Sequence, residues 1–305
     1  MKTPIKILLI IALVAALFVG GIALAIFSLT RRIDRSELWL YDLDTGQTVR
    51  LTGSGSNVTP AFSPDGKFLV YAHRIPASRG KAASSTIEML TLEKGAENTI
   101  IDNGGYNYSP TWSPDMRSIY YASDHGGQRD IWELELETAV SKKITDDKAS
   151  EREPRLSRDG KWILFTQRAE TGGIDEIHII PSGGGDKIRL TETKNILQMP
   201  KSPAWLPDSK GIAFFRLVEI AIMDLEGNIK GVISLAGLNN LDELRFNPTR
   251  PEIIFKGRPA RELSFQFYLY SFTFENNELR PVRKSGFVET GYTFSPDGRQ
   301  IVFSK

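Results

Sequence analysis

The feature that most constrains this chain is one hairpin pattern written six times. Its last copy, residues 291–305, reads GYTFSPDGRQIVFSK, two stretches of alternating apolar and polar residues around a Ser-Pro-Asp-Gly turn. Tyr292 and Phe294 mark the first stretch and Ile301 and Phe303 the second, and a period of two is the signature of a half-buried strand. Pro296 presets φ at the first central turn position, Asp297 suits the second, and Gly298 takes the strained exit. The pattern specifies a β-hairpin.

The other copies begin at Thr59 (TPAFSPDGKFLVYAH), Ser109 (SPTWSPDMRSIYYAS), Glu153 (EPRLSRDGKWILFTQ), Ser202 (SPAWLPDSKGIAFFR) and Leu244 (LRFNPTRPEIIFKG). The residues anchoring the turns, Phe62, Trp112, Leu156, Trp205, Phe246 and Phe294, lie 41 to 50 residues apart, the period expected of propeller blades. The fifth copy keeps Pro248 but loses the Asp-Gly. A second hairpin alternates with the first. It opens at residues 37–52 (ELWLYDLDTGQTVRLT) and recurs from Thr86, Asp130, Glu176, Glu219 and Phe265.

If the first hairpin supplies strands a and b and the second c and d, the chain runs cd, then abcd five times, then a lone ab. The expected fold is all-β, a six-bladed β-propeller of four-stranded antiparallel blades. Residues 291–305 supply the inner strands of the blade whose outer strands come from residues 37–52. Closure removes the exposed edges that an open fan would leave. The domains are then an N-terminal hydrophobic helix within residues 1–30 and a propeller over 36–305.

In such a blade the a–b and c–d turns share one face, and the b–c and d–a connections share the other with the channel mouth. The first face is short and repetitive. The second carries the variation, in residues 73–85, 103–109, 146–153, 195–201, 256–264 and 285–290, and variable loops on a rigid scaffold are where binding is usually placed. Arg74, Arg79 and Lys81 lie in a loop without acids, and Arg258 and Arg261 repeat the pattern one blade beyond the closing blade. They form a candidate basic arc for an acidic partner, lipid headgroup or anionic glycan. Arg152 belongs to the same face. Tyr106, Tyr108, Met199 and Phe287 fall in d–a loops near the mouth, where aromatic and Met side chains suit an interface core.

The motif Pro110-Thr111-Trp112-Ser113-Pro114-Asp115, with Ser123-Asp124-His125-Gly126-Gly127 leading into Asp130-Ile131-Trp132, resembles the TolB-like family of six-bladed propellers. The resemblance covers essentially the whole chain after the apolar N-terminal stretch. It implies the propeller fold and a role in protein–protein interaction outside the cytoplasm. It also implies a propeller-only relative, since the α/β domain that precedes the propeller in TolB has no counterpart between Arg31 and Ser36.

Residues 7–30 hold no charge and are long enough to span a bilayer. Lys2 and Lys6 precede them; Arg31, Arg32 and Arg35 follow. An uncleaved single-pass anchor with an extracytoplasmic propeller fits this stretch. So does a signal peptide cut near Ala23-Leu24-Ala25, which would release a periplasmic or secreted protein. A net charge of +1 gives no electrostatic case for nucleic acid. The absence of cysteine removes disulfides, thiolate metal sites and a lipoprotein anchor together.

No Gly-x-Ser-x-Gly elbow, P-loop or dinucleotide fingerprint is present. The turn aspartates Asp65, Asp115, Asp159, Asp208 and Asp297 stand where aspartate is locally favoured, so they read as turn formers rather than calcium ligands. His73, His125 and His178 are the three histidines; sugar-acid lyases on related propellers hold a metal with histidine clusters, but these read as surface or blade-edge residues. The expectation is a non-catalytic binding or scaffolding module with no cofactor, no catalytic residues and no metal site, capturing a protein partner in the cell envelope. The alternative is a propeller hydrolase or lyase acting on glycan or peptide, or a carbohydrate-binding protein.

Overall fold

The computed structural model describes residues 36–53, 55–168, 173–193, 199–262, 267–285 and 290–305. The first blade contains β3 (Asn57–Phe62), β4 (Phe68–Ile75), β5 (Ser84–Thr91) and β6 (Ala96–Ile101). The second holds β7 (Asn107–Trp112), β8 (Ser118–Ser123), β9 (Asp130–Glu135) and β10 (Val140–Lys143), the third β11 (Ser150–Leu156), β12 (Trp162–Arg168), β13 (Asp175–Pro181) and β14 (Ile188–Arg189). The fourth is β15 (Lys201–Trp205), β16 (Gly211–Arg216), β17 (Glu219–Asp224) and β18 (Ile229–Ser234). The fifth is β19 (Leu238–Phe246), β20 (Glu252–Pro259), β21 (Phe267–Thr273) and β22 (Glu278–Ser285). The closing blade unites β1 (Leu38–Asp42) and β2 (Thr48–Arg50) with β23 (Thr290–Phe294) and β24 (Gln300–Ser304), in the order β2-β1-β24-β23.

Closure is backbone chemistry. β1 pairs antiparallel with β24, from Leu38↔Ser304 to Asp42↔Gln300. The Glu37 N–H donates to the Lys305 carbonyl at 2.8 Å and Lys305 N–H returns to Glu37 at 2.9 Å. The edges left open by the first and last strands therefore satisfy each other.

The turns form as their residues dictate. Gly298 N–H donates to the Ser295 carbonyl at 2.9 Å, and Gly298 has a φ of +70°. The Ser295 hydroxyl bonds Asp297 Oδ1 at 2.5 Å, and the same oxygen accepts the Arg299 N–H at 3.1 Å. Ser63–Asp65, Ser113–Asp115 and Ser157–Asp159 repeat the hydroxyl bond at 2.6 Å. These local hydrogen bonds hold the turn carboxyls below their ordinary range. The eroded fifth turn leans on its neighbour: Asn247 Nδ2 donates to the Gly298 carbonyl at 2.9 Å and Thr249 Oγ1 to that of Asp297 at 2.9 Å.

The core lies between blades. Val70 and Ile87 of the first blade pack with Trp112, Ile119 and Tyr121 of the second, and Ala213, Phe215 and Ile220 of the fourth with Ile253 and Phe255 of the fifth. The closing blade serves two sides, with Leu38 and Val302 against Leu69 and Tyr71, and Tyr292 and Phe303 near Ile254 and Leu269. Each buried Val, Leu, Ile or Phe among them withdraws enough apolar surface to stabilise the fold by about 1.5–3 kcal/mol.

Candidate functional site

Every inner strand carries a break in register, at Val58/Ala61, Tyr108/Thr111, Arg152/Arg155, Lys201/Ala204, Asp242/Arg245 and Thr290/Thr293. At each break one residue adopts left-handed backbone: Thr59, Ser109, Glu153, Ser202, Glu243 and Gly291, with φ between +49° and +67°. Proline follows in the first four, and since proline has no N–H, a bulge there forfeits no ladder donor. Five of the six are not glycine, a conformation that persists only when the surroundings impose it. Part of that imposition runs from blade to blade. Ser109 N–H donates to Thr59 Oγ1 at 3.1 Å, Glu243 N–H to Ser202 Oγ at 2.9 Å, and Gly291 N–H to Glu243 Oε1 at 3.1 Å.

These bulges encircle a channel cavity of about 310 Å³. Its wall is lopsided. Glu153 and Arg155 charge the third blade and Asp242, Glu243 and Arg245 the fifth, whereas Thr59, Ser109, Thr111, Ser202, Gly291 and Thr293 leave the rest neutral. Arg245 is fixed by Nε to the Tyr292 carbonyl at 2.9 Å, Nη1 to the Leu244 carbonyl at 2.8 Å and Nη2 to Glu243 Oε2 at 3.2 Å. Burial pulls its pKa down to about 10, with the neighbouring Arg155 adding repulsion, so it stays charged at neutral pH. Glu153 opens to the channel, 48% of its side chain reachable by water, yet protein walls surround it. That desolvation pushes its carboxyl up, against the pull of Arg155 at 3.6 Å.

The channel continues toward the a–b turns into a second cavity of about 550 Å³, sharing Ala61, Thr111, Leu156, Arg245, Phe246 and Thr293. Pro64, Pro114, Pro248 and Pro296 rim it with Phe62, Trp112 and Phe294 behind. The sequence reading treated this face as frame. The repeated turn was the available signal that turns from five of the blades would converge on one opening.

On the variable face the expected residues scatter. Arg74 lies inside β4, paired with Ser85, because the hairpin extends further than the loop assigned to it. Arg79 and Lys81 sit exposed at its tip, where Ser78 and Lys81 close a tight turn at 3.0 and 3.2 Å. The stretch 256–264 begins as strand rather than loop, since β20 runs to Pro259 opposite Leu238. Arg258 is half-buried there and donates from Nε to Asn239 Oδ1 at 3.1 Å, while Arg261 is exposed. Lys256 is buried over the Phe267 ring, 4.6 Å from its centroid, and does not belong to a solvated arc. Met199 is half-buried and Tyr106 is 40% exposed. Phe287 lies outside the described residues, as does the whole apolar stretch 7–30. Among the described residues no helix is long and apolar enough to cross a membrane.

Two expected residues do converge. Tyr108 and Arg152 meet Arg129 and Arg168, neither of which the sequence singled out, at the junction of the second and third blades. The Arg129 guanidinium lies 4.8 Å from the centroid of the Tyr108 ring. Arg152 Nη1 stands 3.8 Å from Asp175 Oδ2, and Arg168 Nε donates to Asp175 Oδ1 at 2.8 Å. Beside them a buried polar network holds the second and third blades together. Glu151, wholly inaccessible, accepts from Lys187 Nζ at 2.9 Å and from the Thr145 hydroxyl at 3.2 Å. Burial pushes its carboxyl up to about 7, with Lys187 opposing.

The histidines are apart. His73 Nδ1 is 2.7 Å from Asn57 Oδ1, His125 tilts against Trp132, and His178 stacks on Phe165. Among the described residues no three His, Asp or Glu side chains gather in metal-ligand geometry.

Six four-stranded blades closed by their own ends around a bulge-lined channel define a six-bladed β-propeller. More narrowly, the chain belongs to the TolB beta propeller domain family, whose description matches residues 21–216. An uncharacterized protein of Agrobacterium fabrum is 25% identical over 63% of this chain and 66% of its own length. Dipeptidyl-peptidase 5 of Porphyromonas gingivalis is 26% identical over 53% of this chain, which spans only 24% of that relative. Among solved structures, a TolB candidate from Agrobacterium tumefaciens superposes with a TM-score of 0.67 at 16% identity, covering 89% of this chain and 98% of that one. TolB from Acinetobacter baumannii gives 0.60 at 22%, over 89% and 64%. An oligogalacturonate lyase in complex with manganese gives 0.58 at 13%, over 87% and 76%. At these identities the superpositions report fold alone, and the similar proteins include both TolB and propeller-bearing peptidases and lyases.

Proposed function

We infer that this propeller is a non-catalytic binding module that captures a protein partner on its variable face, tethered to or exported across a membrane by the segment before Ser36. One observation carries the reading: Tyr108, Arg129, Arg152 and Arg168 converge at a junction of two blades on that face, on a scaffold held rigid by the ring of bulges. Aromatic and arginine side chains on fixed elements are the composition of interface hot spots. Capture of a protein partner fits a TolB-like propeller. The uncharged length of residues 7–30 supports a single-pass anchor, or a periplasmic or secreted protein after cleavage.

A second reading, a hydrolase or lyase acting on glycan or peptide, is favoured by the peptidase and the manganese-bound lyase among the similar proteins. Metal analysis of the purified full chain separates the two, since the lyase reading requires a stoichiometric divalent cation.

The test of partner capture is a crosslinking pull-down from native membranes. The tag belongs in the exposed turn at Lys94, on the face opposite the proposed site. A stoichiometric envelope protein is the expected result, and its loss on replacing Arg79, Lys81, Arg258 and Arg261 with Ser would add the basic loops to the interface. A co-purifying glycan or metal without a protein would overturn this reading in favour of the second.

A further inference from the structure

The junction of the second and third blades holds more positive charge than its own residues neutralise. Three guanidinium groups meet there: Arg129 just before β9, Arg152 on β11 and Arg168 at the end of β12. Asp175, at the start of β13, is the one carboxylate with which any of them forms an ion pair among the described residues. Arg168 grips it with a fork, Nε to Oδ1 at 2.8 Å and Nη2 to Oδ2 at 3.4 Å. Arg152 reaches the same Oδ2 only at 3.8 Å. Arg129 has no ion-pair partner among the described residues and rests on the Tyr108 ring.

Among the described residues, three cations against one anion leave an excess of two charges. A cluster kept only for stability would be paired one to one, because like charges brought together out of water repel strongly. Burial, then the charges of Arg152 and Arg168, draw the Arg129 pKa downward, so the three groups feel one another. The polar inventory is also incomplete. Nε of Arg129, Nε of Arg152 and the Tyr108 hydroxyl are buried without a hydrogen-bond partner. Buried polar groups are ordinarily satisfied, and those that are not ask for an explanation. Arg152 and Arg168 nevertheless stay open to solvent, with 31% and 44% of their side chains exposed. An arriving anion can therefore reach the cluster from the variable face.

We propose that this inter-blade cluster is a carboxylate-binding site that takes an acidic segment of a protein partner, one carboxylate replacing or joining Asp175 between Arg129, Arg152 and Arg168. The internal pair already displays the chemistry: a planar fork matched to a carboxylate. Arg129, preoriented by stacking on Tyr108, supplies the second fork at little conformational cost. The proposal rests on the reading that the variable face captures a protein, and it names the recognition chemistry.

The experiment uses the full chain and no native partner. Fluorescein-labelled hexa-aspartate is titrated by anisotropy, with hexa-asparagine as the neutral control, at low and at physiological salt. The expected result is saturable, salt-sensitive binding of the acidic peptide alone. R129Q/R152Q should weaken it at least tenfold. D175N, which removes the competing internal carboxylate, should tighten it several-fold. The second variant gives an independent reading if the first folds poorly, as judged by its melting profile. Equal binding by wild type and a folded R129Q/R152Q would overturn the site, as would failure of D175N to tighten. Arginine-dependent binding to phosphatidylglycerol vesicles without peptide binding would overturn it in favour of a lipid surface. Failure of the peptide assay sinks this site alone and leaves partner capture to the pull-down.

Discussion

Gly291 lies so close to Thr59 that a β-carbon on it would stand 2.9 Å from both the amide nitrogen and the Cα of Thr59. One residue belongs to the last inner strand and the other to the first, so the ring closes at a contact that only glycine permits. Its φ of +67° adds a second reason for the same residue. The other five bulges carry side chains because their neighbours leave room.

G291A should therefore cost about 1–3 kcal/mol for the strained backbone, and more for the clash. G80A is the matched control, since Gly80 also has positive φ but open space around it. Urea denaturation of the pair checks this: a larger loss at Gly291 than at Gly80 isolates the contact across the seam.

Deleting residues 291–305 removes β23 and β24 and leaves β1 without its partner. The burial of Tyr292, Phe294, Ile301 and Phe303, at about 1.5–3 kcal/mol each, rivals a domain's whole net stability of roughly 5–15 kcal/mol. The expected product is insoluble or partly unfolded. Cooperative melting of the truncated chain at the intact protein's temperature would refute closure as a stabilising device.

Trp205 and Trp112 occupy equivalent positions and each ties its blade to the one before. Trp205 Nε1 donates to the Arg155 carbonyl at 2.8 Å, Trp112 Nε1 to that of Ala61 at 3.3 Å. Phenylalanine keeps most of the packing and removes the donor. W205F should lose about 1–2 kcal/mol, and W112F, with the longer bond, less. Chemical denaturation of the two variants reads the order.

Glu151 gives stability an unusual pH dependence. Its folded carboxyl titrates near 7, above the ordinary 4.5, so the folded state binds the proton more tightly than the unfolded chain. The contribution is fully present below the unfolded value and is lost as pH rises through the folded one. Between those values stability should fall with pH, by at most about 1.4 kcal/mol per unit from this group. E151Q should flatten that slope, and denaturation midpoints across the window measure it.

The hairpins, their turns and the closing blade were legible in the sequence because each is local: alternation, a Pro-Asp-Gly turn and a count of units. The second strands were less so. β8 is buried along its whole length, Ser118 to Ser123, since neighbouring blades cover both its faces, and alternation vanishes there. The bulge ring had a signal, a residue before proline recurring at Thr59, Ser109, Glu153 and Ser202, but not its meaning. Arg129 and Arg168 went unnoticed because they stand at strand ends in different blades. What joins them to Arg152 is a distance across a blade boundary, which no spacing along the chain encodes.

The Glu37–Lys305 pair also fixes where the chain leaves its ring. Ser36 lies beside the start of β3, its carbonyl accepting the Asn57 N–H at 2.8 Å, and that is the end of the inner strands bordering the variable loops. Both exits of the propeller thus open on one side. Five residues, Arg31 to Arg35, separate Ser36 from the uncharged stretch, an extended reach of about 17 Å. Any segment that precedes Ser36 therefore leaves the propeller from the side of its variable loops, the side from which a partner of those loops would also approach.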